Sequence, residues 1–360
     1  MKKISIKGES LNFSILGLGT GTGFNKNSGK SQKDLLRAFD SAKDVGINWI
    51  DTAESYANGY AEGLIGQYLK TNKNSFYVAS KFSPINASRN LLKKSCESSL
   101  KRLNVDCIDL YQIHWMNYNI SINETLDVLM ELKKDGKINA IGVCNFNLSE
   151  LNACNNYEIS TNQIEFNLFN RSAEEDLLNF HQNKLIHTIA YSPFEGIKLL
   201  KGSRKEKLLI DLQNKYSSSF YRIALSFLSS YKNMLVAYSS TNSEHINENS
   251  FLINLTFDEI SKIKEIFHSN IYYIDPNDVK FKPYMYDSLD KALKNKLSYF
   301  PDVEMLSQEY SSKSYFKPIK VIKIKDKKFK YELEGGMMRY WGWIKAFTSN
   351  KPILALVIND

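Results

Sequence analysis

The sequence predicts an α/β fold: a (β/α)8 TIM barrel followed by a small α+β C-terminal domain. Three observations carry that expectation. Short apolar runs rich in strand-forming residues alternate with longer segments of helical period up to about residue 268, the pattern of parallel strands joined by crossover helices. Eight such runs occur in that span, and eight β/α alternations close a barrel more naturally than they build an open sheet. Beyond about residue 270 the alternation stops, so a second, separately organised unit is expected there.

Residues 4–13 alternate polar and apolar positions around Gly8-Glu9-Ser10, which reads as a hairpin plugging the N-terminal end of the barrel. Strands are expected at 15–18, 48–50, 76–79, 108–112, 140–143, 161–165, 186–191 and 234–238. Helical patterns fall between them at 32–45, 61–70, 90–103, 122–135, 149–154, 174–182 and 218–231. The last barrel helix is expected at 256–267, where Thr256 and Glu259 have the spacing of a capping box. The expected domains are residues 1–268 and 271–360, the second holding helices at 286–296, near 303–310 and near 338–347, and a basic strand pair.

Composition narrows the function classes. A chain that is 43% hydrophobic and 24% charged can bury a proper core and is not of disordered composition. No apolar run approaches membrane-spanning length, and the first residues show no secretory h-region; a cytoplasmic protein without a membrane partner is expected. Cys96, Cys107, Cys144 and Cys154 have no CxxC spacing, which predicts reduced thiols and neither a zinc site nor a disulfide framework. The net charge is +8, yet residues 271–360 alone hold 16 Lys and Arg against 11 Asp and Glu. Five of those lysines fall within 321–330 and read as a solvated strand face, with an anion-facing patch as the alternative. Nucleic acid is therefore not the expected partner.

Active sites of such barrels lie at the C-terminal ends of the strands. Asp51 follows Trp49-Ile50, Tyr56 lies five residues on, Lys81 follows Val78-Ala79-Ser80, and His114 follows Gln112-Ile113. These residue types suit proton delivery to a carbonyl oxygen that receives a hydride. A phenol can supply the proton, an ammonium beside it favours the phenolate, a carboxylate fixes the ammonium, and an imidazole orients the substrate oxygen. The hydride must come from a cofactor. The competing reading is a buried polar network of Asp51, Lys81 and His114 without turnover.

The stretches Asp51-Thr52-Ala53-Glu54-Ser55-Tyr56, Ala79-Ser80-Lys81 and Gln112-Ile113-His114-Trp115 resemble the motifs of the aldo-keto reductase family. The resemblance covers about residues 1–268 and continues through Leu16-Gly17-Leu18-Gly19-Thr20, Gly142-Val143-Cys144-Asn145-Phe146, Asn162-Gln163-Ile164-Glu165-Phe166-Asn167 and Ala190-Tyr191-Ser192-Pro193. It implies NADP or NAD as cofactor and a small-molecule carbonyl substrate. By that similarity Asn145 and Gln163 hold the nicotinamide carboxamide and Tyr191 stacks on its ring, with Gly19, Thr20 and Ser192 at the same rim. Cys144 stands where the family often has serine, and a thiol is a weaker hydrogen-bond partner.

In relatives selective for a 2′-phosphate, a lysine and an arginine surround the loop after strand eight. Here that loop reads Ser239-Ser240-Thr241-Asn242-Ser243-Glu244-His245, followed by Asn249. Ser239 takes the lysine position and His245 the arginine position. A relaxed choice between NADH and NADPH follows.

Near the end, Gly335-Gly336-Met337-Met338-Arg339 opens an expected helix. Such a start suits a phosphate, with Arg339 adding a bidentate contact; a tight turn with a surface arginine is the plainer alternative. Together with Ile274-Asp275-Pro276, Lys317-Pro318-Ile319, Tyr331-Glu332-Leu333 and Lys351-Pro352-Ile353, this segment is similar to the ParB and sulfiredoxin-like nucleotide-binding domain, over about residues 271–360. Met337 stands where sulfiredoxins carry their reactive cysteine, and the sequence given ends at Asp360 with no helix-turn-helix after the module, so neither sulfinic-acid repair nor DNA segregation is expected. The resemblance implies a nucleotide at the C-terminal domain, such as the nucleotide part of a sugar-like substrate whose carbonyl reaches the barrel. Two other readings stand beside this reductase: a nucleotide-binding regulatory protein, and a small-molecule kinase acting through the C-terminal domain.

Overall fold

The computed structural model describes residues 1–6, 11–174, 176–199, 202–267, 271–294, 301–312, 318–347 and 351–358. The expected turn at Gly8-Glu9-Ser10, the expected domain boundary at 268–270 and Lys317 lie outside those residues.

A hairpin of β1 (Lys3–Ser5) and β2 (Asn12–Ser14) precedes eight strands. These are β3 (Leu16–Gly19), β4 (Trp49–Asp51), β5 (Tyr77–Phe82), β6 (Ile108–Ile113), β7 (Ile138–Cys144), β8 (Thr161–Glu165), β9 (His187–Tyr191) and β10 (Met234–Tyr238). All eight run parallel and β10 closes on β3, which gives the (β/α)8 barrel its continuous wall.

Ile6, Leu11 and Phe13 of the hairpin region join Trp49, Ala79, Leu110, Ala140, Ile189 and Leu235 in one buried cluster inside the barrel. Trp49 fills this end: its ring stacks on Phe13 and its Nε1 donates to the Ser14 carbonyl at 2.8 Å. The indole lies over Gly17, where a Cβ would stand 2.1 Å from Trp49 Cε2. Only glycine leaves room for that ring.

The barrel helices follow the sequence pattern closely, as in Gln32–Asp44 and Arg89–Leu103. Thr256 and Glu259 form the expected reciprocal capping box at helix Phe257–Ile266. Two helices, Arg204–Tyr216 and Ser243–Ser250, are not in the sequence reading, and the expected helix at 218–231 is the shorter Phe220–Leu228.

From Ile271 the chain builds a separate mixed sheet of β11 (Ile271–Ile274), β12 (Val279–Lys280), β13 (Ile319–Lys323), β14 (Tyr331–Gly335) and β15 (Ile353–Val357), in the order β11-β15-β13-β14-β12. Helices Val303–Ser312 and Met337–Phe347 pack on it through Leu306, Tyr310, Tyr340 and Trp343. Gly342 allows their close approach, since a Cβ there would lie 2.7 Å from Leu306 Cβ. The alternation of β13 divides its side chains. Ile319 and Val321 enter this C-terminal core, whereas Ile322 packs against the barrel core and Lys320 reaches two barrel carboxylates. The lysines after it, from Lys323 to Lys330, are solvent-exposed.

Candidate active site

Parallel register aligns the strand ends. Gly19 pairs with Asp51, Lys81 with Gln112, Cys144 with Gln163, and Glu165 with Tyr191. Polar residues that terminate different strands therefore meet on one rim.

Asp51, Tyr56, Lys81 and His114 come together there. Lys81 Nζ donates to Asp51 Oδ1 at 2.7 Å, to the Thr52 carbonyl at 2.8 Å and to Tyr56 Oη at 3.2 Å. Its three donors are thereby accounted for. Tyr56 is delivered by a short helical turn, Tyr56–Gly59, in which Ala57 and Asn58 adopt left-handed conformations. Its ring meets His114 edge-on, with centroids 5.8 Å apart. Gly21 borders the phenol, since a Cβ there would stand 3.2 Å from Tyr56 Cζ.

Burial and charge set the protonation states. Burial disfavours the Lys81 ammonium, but Asp51 and then Tyr56 outweigh it and the ammonium is held more firmly than usual. Burial and the Lys81 charge both push His114 well below its ordinary value, leaving a neutral imidazole, and its buried Nδ1 has no hydrogen-bond partner among the described residues. Tyr56 corrects the simplest expectation. Lys81 does favour its phenolate, yet burial of the hydroxyl is the larger influence, and the phenol is pushed up to about 12. In this state Tyr56 holds its proton.

The expected nicotinamide residues lie beside this group. Tyr191 Oη donates to Asn145 Oδ1 at 2.7 Å, and Asn145 Nδ2 reaches the His114 carbonyl at 3.3 Å. Gln163 Oε1 accepts from Gln112 Nε2 at 3.2 Å and from the Cys144 thiol at 3.5 Å, so the thiol does act as a donor. Burial keeps that thiol protonated despite Lys81. Asn145 and Ser192 both have positive φ, 62° and 52°, conformations that cost energy and recur at functional sites. Thr20 is bound to the Asp51 carbonyl through both its backbone and its hydroxyl. The donor set fits a nicotinamide amide: an asparagine, a glutamine whose own carbonyl is already engaged, and a half-buried aromatic face.

The loop after β10 bonds to itself and to the loop after β3. Ser239 donates to the Thr22 carbonyl at 2.7 Å, and Ser240 Oγ accepts from Asn242 N at 3.2 Å. His245 is exposed on helix Ser243–Ser250, and Asn249 is buried one turn later. After β6, Asn117 Nδ2 donates to the Pro84 carbonyl and the Tyr118 hydroxyl to Glu150.

Three residues at this face carry no sequence motif of their own. Lys30 Nζ donates to the Thr241 carbonyl at 3.1 Å. Lys320 of β13 lies 2.8 Å from Glu165 Oε1 and 3.4 Å from Glu195 Oε1. The C-terminal sheet is thus pinned to the end of β8 and the turn after β9. Gly335, Gly336 and Arg339 sit next to that contact, Gly335 paired with Lys320 in the sheet. No helix in the described residues is long and apolar enough to cross a membrane.

The sequence profile of the Aldo/keto reductase family matches residues 15–268. The chain is similar to the methylglyoxal reductase YeaE of Escherichia coli (strain K12), 28% identical over 247 residues that cover 67% of this chain and 87% of that protein. An NADH-specific methylglyoxal reductase of the same organism is 31% identical over 221 residues, 54% of this chain and 68% of that protein. A solved aldo/keto reductase from Klebsiella pneumoniae, in complex with NADP and acetate, matches with a TM-score of 0.69 and 26% identity over 74% of this chain and 95% of that one. With a family match that spans the whole barrel and a rim of this composition, the chain belongs to the aldo/keto reductase family and is an NAD(P)-dependent oxidoreductase.

Proposed function

We propose that the barrel reduces an aldehyde or ketone to an alcohol with Tyr56 as the general acid. The observation that carries this reading is the Lys81 ammonium held between Asp51 Oδ1 and Tyr56 Oη. When bound, the nicotinamide supplies a hydride to the carbonyl carbon. Tyr56 then gives its proton from Oη to the substrate oxygen, and the phenolate left behind faces Lys81 Nζ at 3.2 Å. Asp51 keeps that nitrogen charged and in place. His114, neutral and next to the phenol ring, orients the same substrate oxygen. Asn145 and Gln163 would hold the carboxamide, with Tyr191 beneath the ring.

Small reactive carbonyls of the methylglyoxal kind are the first substrates to test, by similarity to the two Escherichia coli reductases. No lysine or arginine occurs in residues 239–249, which supports use of both NADH and NADPH. We further propose that residues 1–268 and 271–360 are two domains, supported by the separate sheet and core of the second. The C-terminal one is read as a ParB/sulfiredoxin-like nucleotide-binding module with Gly335, Gly336 and Arg339 around a phosphate, which makes a nucleotide-linked or sugar-like carbonyl compound a candidate substrate. The four free cysteines fit a cytoplasmic setting.

Fluorescence titration with NADH and NADPH, on the wild type and on Tyr56→Phe, followed by an aldehyde screen, tests the reading. Cofactor binding by both proteins with turnover only by the wild type is expected. Equal turnover by the variant would remove Tyr56 from its role.

A further inference from the structure

Lys320 brings the C-terminal sheet onto the catalytic face of the barrel, and this contact has a chemical corollary. Lys320 is only 9% exposed and Glu165 likewise 9%, so the contact is a closed interface. The next basic side chain along that surface is Arg339, in the first turn of helix Met337–Phe347. Its guanidinium folds back over Gly336, where a Cβ would stand 2.8 Å from Arg339 Nη2 and 3.2 Å from Ile319 Cα. Gly336 has φ of 85°, so both space and conformation reserve that position for glycine. Arg339 therefore lies directly beside the Lys320 contact.

The nearby carboxylates are taken. Glu165 and Glu195 hold Lys320, and Glu334 holds Lys282 at 2.6 Å. Arg339 is half-buried, yet among the described residues it makes neither an ion pair nor a hydrogen bond. A partly desolvated guanidinium with its donors unmatched is poised for an oxyanion. It is also within electrostatic reach of the cofactor platform: burial and Glu165 keep the Tyr191 hydroxyl protonated, and the charges of Arg339 and Lys320 oppose them. From Tyr191 hydrogen bonds run through Asn145 to the His114 carbonyl.

We propose that Arg339 forms an oxyanion-binding subsite of the reductase active site, contributed by the C-terminal sheet. It takes a carboxylate or phosphate carried either by the carbonyl substrate or by the dinucleotide. The proposal rests on the reductase reading for its position in the reaction, but not for the binding itself. The preferred substrates are then carbonyl compounds with an anionic group, and Lys320 is a positioning residue that holds the subsite over the rim.

Calorimetric titration of the full chain with inorganic pyrophosphate tests the subsite without turnover. Arg339→Gln should weaken binding about ten-fold, and Arg339→Lys should recover part of it, because lysine keeps the charge without the fork. Equal binding by wild type and Arg339→Gln, or none by the folded wild type, overturns the proposal. Kinetics assign the source. If the substrate carries the anion, Arg339→Gln lowers the ratio of kcat/KM for 4-carboxybenzaldehyde over its neutral methyl ester about ten-fold, through KM. If the dinucleotide carries it, the ratio holds and the Kd for NADPH and NADH rises instead. A wild type that reduces neither aldehyde but loses pyrophosphate binding in Arg339→Gln would refute the reductase reading and leave the subsite standing.

Discussion

The Lys81 ammonium lies 2.7 Å from the Asp51 carboxylate, with the two side chains only 2% and 6% exposed. A buried pair of this kind is costly to break, because the remaining charge stays desolvated, at about 3–5 kcal/mol. Lys81→Met should therefore lose both stability and chemistry, with kcat for aldehyde reduction falling about a hundred-fold or more, the range of a lost acid–base contribution. Asp51→Asn keeps a hydrogen-bond acceptor beside Lys81 and should retain more of each. Steady-state rates at saturating cofactor, paired with thermal melts, separate the two losses. A folded Lys81→Met enzyme with wild-type kcat would show that the ammonium is structural.

Protonation predicts a direction for pH. Burial raises the Tyr56 phenol to about 12, so the acid needed for reduction is present throughout the neutral range and is lost only as pH approaches that value. The reverse reaction needs the phenolate as base, whose fraction grows about ten-fold per pH unit below the pKa. Reduction should be flat with pH between about 6 and 9 while alcohol oxidation climbs. Tyr56→Phe should abolish the slope, and an oxidation rate independent of pH would assign the proton transfer to another group.

Gly17 tests the other end of the barrel. A methyl group there would meet the Trp49 indole at 2.1 Å, and that ring is fixed by Phe13 and by its bond to Ser14. Gly17→Ala should cost about 1–3 kcal/mol or more through overpacking. Urea unfolding measures it, and the double variant Gly17→Ala with Trp49→Phe should recover part of the loss.

The barrel was legible because period carries it: Thr161–Glu165 and Met234–Tyr238 coincide with their expected strands, and polar residues directly after apolar runs were the residues that met on the rim. Arg204–Tyr216 was less visible because only Leu208, Leu209, Leu212 and Lys205 face inward on a helix otherwise rich in charge. The Lys320–Glu165 contact joins residues 155 positions apart in sequence, and no local pattern encodes such a pairing. Nor does spacing reveal that burial outweighs Lys81 at Tyr56, since desolvation belongs to the assembled site.

Lys30 bears on the cofactor choice. The family resemblance puts Ser239 and His245 of the loop after β10 at the positions expected to grip a 2′-phosphate, and Lys30 comes from the loop after β3 to within 3.1 Å of the Thr241 carbonyl. An ammonium in that place can serve a phosphate as a point charge, whereas the ribose hydroxyl of NADH offers it no charge to pair with. Lys30→Gln should therefore raise the Kd for NADPH by about two- to five-fold, the effect of one solvent-exposed charge contact, and leave NADH close to unchanged. The ratio of the two constants, followed from low to high salt, is the discriminating measurement: the wild-type preference should shrink as salt screens the ammonium. Equal weakening of both cofactors would place Lys30 on a part they share, such as the pyrophosphate, and equal affinity in wild type and variant would confine it to holding the loop.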